Sequence, residues 1–234
     1  IEKIFTITNK DITDKFQQLL QEIPSEYMLL SEKIITYAKT ELGKKLNESI
    51  FISLTDHINS TIDRYKNGIQ LKNALLWDIK RLYKDEFCIG VEALKMIKED
   101  LNIELPEDEA AFIALHIVNA ELNEEMPNLM NMTKVMQEIL NIVKYHYKID
   151  FDEESLSYYR FITHLKFFAQ RLFNGKTYTD KDDEIYDMIK IKYPIAHECV
   201  KKVEKFIKEK YTYDLTKEEK LYLMIHIQRV TENK

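Results

Sequence analysis

Residues 51–68 have the sequence FISLTDHINSTIDRYKNG, and this stretch is the most informative part of the chain. Apolar side chains at positions 51, 54, 58, 62 and 65 recur every three or four residues, which is typical of one face of an amphipathic helix. His57 lies at the margin of that face, where a partner molecule can reach it. The stretch therefore predicts a helix that presents a histidine near the surface.

The same pattern recurs in the second half of the chain. Leu54-Thr55-Asp56-His57 aligns with Phe161-Ile162-Thr163-His164 at an offset of 107, and both copies continue as H-x(6)-R-x(2)-N-G. A second block, at an offset of 110, makes His116 equivalent to His226. A repeat of this length has the size of a small domain, so the sequence predicts a duplicated domain.

The composition favours helices throughout. The 234 residues include only 4 Gly and 4 Pro, which leaves few of the residues that strands and tight hairpins need at their turns. We predict an all-α fold with two homologous helical-bundle domains in tandem, each of about five helices. The helices are predicted near residues 12–23, 25–42, 47–67, 69–84, 86–101, 106–122, 129–146, 152–173, 181–192, 194–210 and 216–232.

The domain limits follow from interruptions of the helical pattern. A polar, proline-containing segment at residues 123–130 is predicted to be the linker between a first domain at 11–122 and a second at 131–234. Residues 1–10 alternate apolar and polar side chains at their start, and we interpret them as the end of a preceding domain plus a linker.

Charge and cysteine content exclude several classes of function. The formal net charge of −6 has the wrong sign for a surface that coats nucleic-acid phosphates. Cys88 and Cys199 are far apart in sequence, which favours a reduced, cytoplasmic setting without a redox pair or zinc knuckle. No stretch approaches the length of a membrane span, so we expect no membrane insertion.

The repeated histidines are the candidate functional residues. Four of the six histidines occupy equivalent positions in the two halves, whereas His146 and His197 have no counterpart and are interpreted as incidental. Seven residues make nearly two helical turns, so the arginine of each H-x(6)-R motif shares a face with its histidine. Inert core histidines are the alternative, but their repetition at two separate positions favours a function.

Enzymatic motifs are not found. The chain has no H-E-x-x-H metal pair, Gly-rich phosphate loop, G-x-S-x-G motif or Cys–His signature, so we expect no metal, no cofactor and no catalytic activity. Aromatic pairs such as Phe167-Phe168 are interpreted as core rather than as a surface for nucleotide stacking.

Several of these segments resemble a known family. The segments Leu54-Thr55-Asp56-His57-Ile58, 114-ALHIVNA-120, Thr163-His164-Leu165 and Ile225-His226-Ile227 resemble the duplicated phosphotransferase regulation domains, or PRDs, of LicT/BglG-type antiterminators. The resemblance covers nearly the whole chain and includes four histidines in the expected order. It implies a regulatory protein that acts in bacterial sugar catabolism, and it implies that residues 1–10 include the end of a small RNA-binding domain.

The resemblance also implies the partners and the reactive residues. All four repeated histidines become candidate phosphorylation sites, with phosphoryl groups supplied by the phosphocarrier HPr and by a sugar-specific Enzyme II of the β-glucoside or sucrose type. In this family HPr typically activates through the second PRD, whereas Enzyme II inhibits through the first. We expect a homodimer whose arrangement changes on phosphorylation and so controls RNA binding by the preceding domain. The side chains expected to pair with phosphate or charge are Asp56, Arg64, Arg171 and Arg229.

Two alternatives stay open at this point. A helical dimerisation module whose histidines never react is one, and phosphate uptake distinguishes it from the main hypothesis. The PRD region of a DNA-binding transcriptional activator is the other, and the sequence of the preceding domain distinguishes it.

Overall fold

The computed structural model describes residues 23–124, 126–174 and 183–232, and these contain ten helices and no strand. The helices are α1 (Ser25–Leu42), α2 (Ile50–Lys66), α3 (Leu76–Leu82), α4 (Lys84–Leu101), α5 (Glu107–Leu122), α6 (Met126–Tyr147), α7 (Leu156–Asn174), α8 (Asp183–Lys192), α9 (Pro194–Tyr211) and α10 (Lys217–Glu232). The predicted all-α class and the tandem arrangement of about five helices each are confirmed. Among these helices none combines the length and apolar character needed to cross a membrane.

The chain divides into two compact units, Ile1–Leu129 and Met130–Lys234. Helix α6 starts at Met126, three residues before its predicted start near 129, so part of the predicted linker at 123–130 is helical. Each unit is described separately below.

Equivalent helix ends in the two units adopt the same backbone conformation. Helix α4 ends before Asn102 (φ 55°), and α9 ends before Thr212 (φ 55°), both in the left-handed region. The backbone N–H of each of these residues donates a hydrogen bond to a carbonyl in the last turn, which satisfies an otherwise unpaired acceptor. Because both helices end in the same conformation, the two loops that follow can be aligned with each other. Ile103, the residue after Asn102, is then the structural counterpart of Tyr213, the residue after Thr212.

The core of the first unit lies between α1, α2, α4 and α5. Helix α2 contributes a fully buried row that includes Leu54, Ile58 and Ile62, as its apolar spacing predicts. Helices α4 and α5 approach closely at Gly90, where an added Cβ atom would lie 2.2 Å from the Ala110 carbonyl oxygen. The glycine therefore permits the contact that fixes α5 and its histidine against the core.

In the second unit, α7 and α10 lie in contact, as do α9 and α10. Phe161, Leu165 and Met224 are fully buried, and they fix the α7 and α10 helices that contain His164 and His226. The last helix begins with a capping box, in which a side chain and a backbone N–H are paired in both directions. The Glu219 N–H donates to Thr216 Oγ1 (3.2 Å), and the Thr216 N–H donates to Glu219 Oε2 (3.0 Å).

The helix predicted at 69–84 is wrong over its first half. Residues 67–75 form a loop, and helix α3 covers only Leu76–Leu82. Asp108 from α5 accepts a hydrogen bond from the Asn73 N–H (2.8 Å), and the Asn73 side chain accepts one from the Leu75 N–H (2.9 Å). These bonds pair the Asn73 and Leu75 N–H groups without a helix, and one acceptor, Asp108, is distant in sequence.

Three predictions fall outside the described residues. They are the interpretation of residues 1–10 as the end of a preceding domain plus a linker, the helix at 12–23 except for its last residue, and Gly175, the last residue of the second H-x(6)-R-x(2)-N-G motif.

Candidate functional site

In the first unit, His57 and His116 form a ring pair. His57 comes from α2 and His116 from α5, and their ring centroids lie 4.8 Å apart with the rings tilted by 39°. Phe112, one turn before His116, lies against His57 with a centroid distance of 5.9 Å. The two repeated histidines of this unit thus meet at one site, although 59 positions separate them in the sequence.

A buried carboxylate organises the first site. Glu109 Oε2 lies 3.2 Å from His57 Nε2 and accepts a hydrogen bond from Thr61 Oγ1 at 3.0 Å. Arg64 lies 3.5 Å from the other carboxylate oxygen and also donates to Thr61 Oγ1 at 2.7 Å. Burial alone would raise the pKa of Glu109, but the bonds from His57 and Thr61 and the charge of Arg64 lower it below its usual value. Glu109 is therefore ionised at neutral pH.

His116 is held neutral. Burial, and then the charge of His57, lowers the pKa of His116 to about 3. Its Nδ1 atom is buried and makes no hydrogen bond within the described residues. A neutral imidazole keeps a lone pair, so His116 is a nucleophile in chemical terms, but a poorly exposed one.

The second unit repeats the pair with tighter stacking. His164 of α7 and His226 of α10 have ring centroids 3.8 Å apart and rings inclined by 29°. Tyr222, which is the equivalent of Phe112, stacks on His164 at 6.0 Å. His164 is exposed, whereas His226 is only 7% exposed. An accessible imidazole therefore lies on a buried one.

Both histidines of the second pair have lowered pKa values. Burial, then the charges of His164, Arg229 and Arg160, lowers the pKa of His226 to about 4. Burial and then Arg171 lower the pKa of His164. The pair is therefore largely neutral at neutral pH and faces three positive side chains.

The glutamate of the second site points elsewhere. Glu219 is 1% exposed, and it accepts hydrogen bonds from the Tyr213 hydroxyl at 3.1 and 3.2 Å. Arg171 Nε lies 3.8 Å from Glu219 Oε1. Among the described residues, Glu219 makes no hydrogen bond or ion pair with His164 or His226. The carboxylate equivalent to Glu109 is thus held away from the histidine pair.

The two sites also differ in the space around them. An open cavity of about 600 Å³ adjoins the second pair and is lined by His164, His226, Arg171 and Tyr222, among others. The crevice beside His57, lined by Thr61 and Glu109 among others, has no room for a water molecule. A reacting group of another protein can enter the second site more easily than the first.

The structure places the predicted residues as follows. The four repeated histidines form two pairs, and Arg64 and Arg171 each lie beside the glutamate of their unit. Arg229 is exposed and acts on His226 through its charge. Asp56 is exposed, and as the neighbour of His57 it lies about 100° around the helix from it. A role for Asp56 stays a prediction.

Sequence reasoning missed several residues of these sites. They are Thr61, Glu109, Arg160, Tyr213 and Glu219. The repeat contained a signal for the glutamates, because Glu109 and Glu219 are equivalent and each precedes its histidine by seven residues. Arg160 lies one helical turn before His164, and that spacing alone could have identified it.

No cluster of three or more His, Cys, Asp or Glu side chains in the described ranges is placed to hold a metal ion. Each unit instead contains a histidine pair and a buried glutamate paired with an arginine, and the glutamate contacts the histidine pair only in the first unit. Imidazole and guanidinium groups in such a site can bind a small anionic group, and the class of protein that the fold and the sites define is a tandem helical-domain protein with one such site in each unit.

Comparison with known proteins gives the family. The model of the PRD domain matches residues 32–120 and 137–230, and the chain belongs to this family, with two copies in tandem. The chain is 63% identical over 232 residues to the "Transcription antiterminator LicT" of Bacillus subtilis (strain 168), covering 99% of this chain and 84% of that protein. It is 48% identical over 230 residues to the "Beta-glucoside operon antiterminator" of Dickeya chrysanthemi, covering 98% and 81%.

A solved structure also matches part of the chain. The crystal structure of GlcT CAT-PRDI is 35% identical, covers 50% of this chain and 70% of its own, and has a TM-score of 0.48. The relatives compared by sequence are thus bacterial antiterminators, and the predicted family is confirmed.

Proposed function

We propose that this chain is the regulatory region of a transcription antiterminator and that its histidine pairs accept phosphoryl groups from a sugar phosphotransferase system. The observation that carries the proposal is the meeting of repeat-equivalent histidines in each unit, in a site that also contains a buried glutamate paired with an arginine. Histidines that only fill space in a core would need neither the glutamate nor the arginine.

The chemistry of phosphoryl acceptance supports the second pair in particular. Neutral imidazole is the nucleophilic form, and the lowered pKa values of His164 and His226 keep both rings largely neutral at neutral pH. His164 is exposed beside the cavity, so the active site of a phosphocarrier can approach it. Arg160, Arg171 and Arg229 supply the positive charge that a phosphoryl group of charge near −2 requires.

The donors follow from the family. We assign the second pair to HPr, whose signal activates when preferred sugars are scarce, and the first pair, His57 and His116, to a sugar-specific Enzyme II of the β-glucoside or sucrose type, whose signal inhibits. The names of two relatives, an antiterminator of a β-glucoside operon and an antiterminator of GlcA/glcB genes, support sugar control in general. The chain is then a substrate of these phosphoryl donors, not an enzyme, and acts in the cytoplasm.

Phosphorylation would change an assembly. In a homodimer with two-fold symmetry every added charge occurs twice, so phosphate either loosens the interface or is paired by arginines such as Arg64 and Arg171. We propose that this rearrangement controls RNA binding by a preceding domain, with the PRDs at 11–122 and 131–234 joined by residues 123–130. The names of the relatives favour RNA antitermination over the DNA-binding alternative.

Intact-mass spectrometry tests the proposal. The chain is incubated with phosphoenolpyruvate, Enzyme I and HPr, and the variant His164→Ala/His226→Ala is treated in parallel. We expect an acid-labile phosphate increment that the double variant loses. The control His146→Ala/His197→Ala removes two histidines of the same unit and is expected to retain it. The absence of an increment with HPr and with the cognate Enzyme II would favour the inert dimerisation module.

A further inference from the structure

The two glutamates of the repeat make different contacts, and the sequence explains why. Glu109 contacts His57 Nε2 at 3.2 Å and is fixed there by Thr61. The equivalents of Thr61 and Ile103 in the second unit are Phe168 and Tyr213. Phe168 has no hydroxyl to hold a carboxylate beside the histidine, whereas the Tyr213 hydroxyl binds Glu219 in the adjoining loop. The two units thus differ at two positions from which a hydroxyl group binds the glutamate, Thr61 in the first unit and Tyr213 in the second.

The contact in the first unit fixes the tautomer of His57. Glu109 is ionised and can only accept, so the hydrogen on the imidazole must lie on Nε2 for the 3.2 Å contact to be a hydrogen bond. The lone pair of the neutral ring then lies on Nδ1, which makes no hydrogen bond within the described residues. The Asp–His pair of a serine protease triad works on the same principle, since its carboxylate selects one tautomer and stabilises the ring when it becomes positive.

We propose that Glu109 is a positioning residue that directs phosphoryl transfer to Nδ1 of His57, whereas Tyr213 withholds Glu219 from His164 and leaves that ring without such direction. This inference rests on the proposed function. It assigns the reacting atom of the first site and explains how two homologous sites can respond differently to phosphate donors.

Phosphoryl transfer to His57 forms one bond to phosphorus and breaks another. The Nδ1 lone pair of His57 forms a new N–P bond while the bond from phosphorus to the donor's nitrogen or sulfur breaks, and the donor atom retains that electron pair. The donor is a phosphohistidine or phosphocysteine of a carrier protein. The proton stays on Nε2, so the phosphorylated ring carries a positive charge that faces the Glu109 carboxylate.

Nitrogen NMR of the imidazole rings tests the positioning directly. In ¹⁵N-labelled chain at neutral pH, with His57 assigned by its loss in His57→Gln, we expect the Nε2–H form to exceed the Nδ1–H form by roughly tenfold or more, since hydrogen bonds to charged groups are strong. Glu109→Gln is expected to reduce this excess severalfold, because a neutral amide oxygen accepts a weaker hydrogen bond than a carboxylate does. The matched control Glu219→Gln is expected to leave the His164 signals unchanged.

A second variant retains the carboxylate. Ile103→Tyr places in the first unit the hydroxyl that Tyr213 supplies in the second, and we expect it to draw Glu109 away and reduce the excess of the Nε2–H form. The wild-type spectrum alone tests whether His57 carries its proton on Nε2, even if both variants unfold. A proton on Nδ1 of wild-type His57 would overturn the inference.

The reacting atom is tested with potassium phosphoramidate, a small donor that needs no relay protein. We expect phosphate on Nδ1 of His57 in the wild type, whereas phosphate on Nε2 would overturn the inference. Should phosphoramidate modify Nδ1 while neither HPr nor Enzyme II modifies any of the four histidines, the proposed function fails and the positioning role of Glu109 stands.

Discussion

Acidification is expected to destabilise the second unit through its histidine pair. Burial and the charge of His164 lower the pKa of His226 to about 4 in the folded chain, from an ordinary value of 6.5. Between these pH values the unfolded chain binds more protons than the folded chain, so the free energy of unfolding falls as the pH falls. Because the ring is only 7% exposed, little solvent screening applies. The expected loss between about pH 6.5 and pH 4 is roughly 3 kcal/mol.

The contribution of His164 can be separated by replacing it. After burial, the charge of His164 is the largest cause of the lowered pKa of His226. We therefore expect His164→Asn to raise the pKa of His226. That pKa should stay below 6.5, because burial is the larger cause and is retained.

The assay is an NMR titration of the His226 ring, together with urea unfolding at neutral pH and near pH 4.5. His197→Asn, a change at a buried histidine outside the pair, is the control and is expected to leave the His226 titration unchanged. A wild-type midpoint near 6.5, or a midpoint that His164→Asn does not move, would refute the reasoning. In either case the pair would not be a coupled site.

Two further substitutions test the packing that supports the sites. Gly90→Ala places a Cβ atom against the Ala110 carbonyl oxygen and should destabilise the first unit by about 3 kcal/mol or more. The measurement is urea unfolding followed by circular dichroism. An unchanged unfolding curve would contradict the close approach of the two helices. Thr216→Ala removes the capping box with Glu219 and should cost about 1 kcal/mol in the same assay. Thr163→Ala, an exposed hydroxyl within a helix, is its control and should have a much smaller effect.

The fold could be predicted from the sequence where the signals were local. The predicted helix at 25–42 coincides with Ser25–Leu42, because proline precedes it and Gly43 (φ 61°) follows it. The prediction at 69–84 is wrong over its first half, because the loop before Leu76 is held by Asp108, a residue on another helix. Hydrophobic periodicity contains no information on such distant hydrogen bonds.

The site could be predicted in its residues but not in its arrangement. The internal repeat identified the four histidines, Arg64 and Arg171, since equivalent positions can be compared within one sequence. The pairing of the His57 and His116 rings depends on how α2 packs against α5, which no periodicity specifies. The different contacts of Glu109 and Glu219 depend on side chains in three separate segments, so they emerge only from the folded chain.

The most direct test of the central claim is the location of the phosphate in the chain. The chain phosphorylated through HPr is digested at mildly alkaline pH, where phosphohistidine survives, and the peptides are fragmented by electron transfer. The account predicts phosphate on His164 or His226, with His146 and His197 of the same unit unmodified. Phosphate on His146 or His197, on a hydroxyl side chain, or on no residue of the second unit would contradict it.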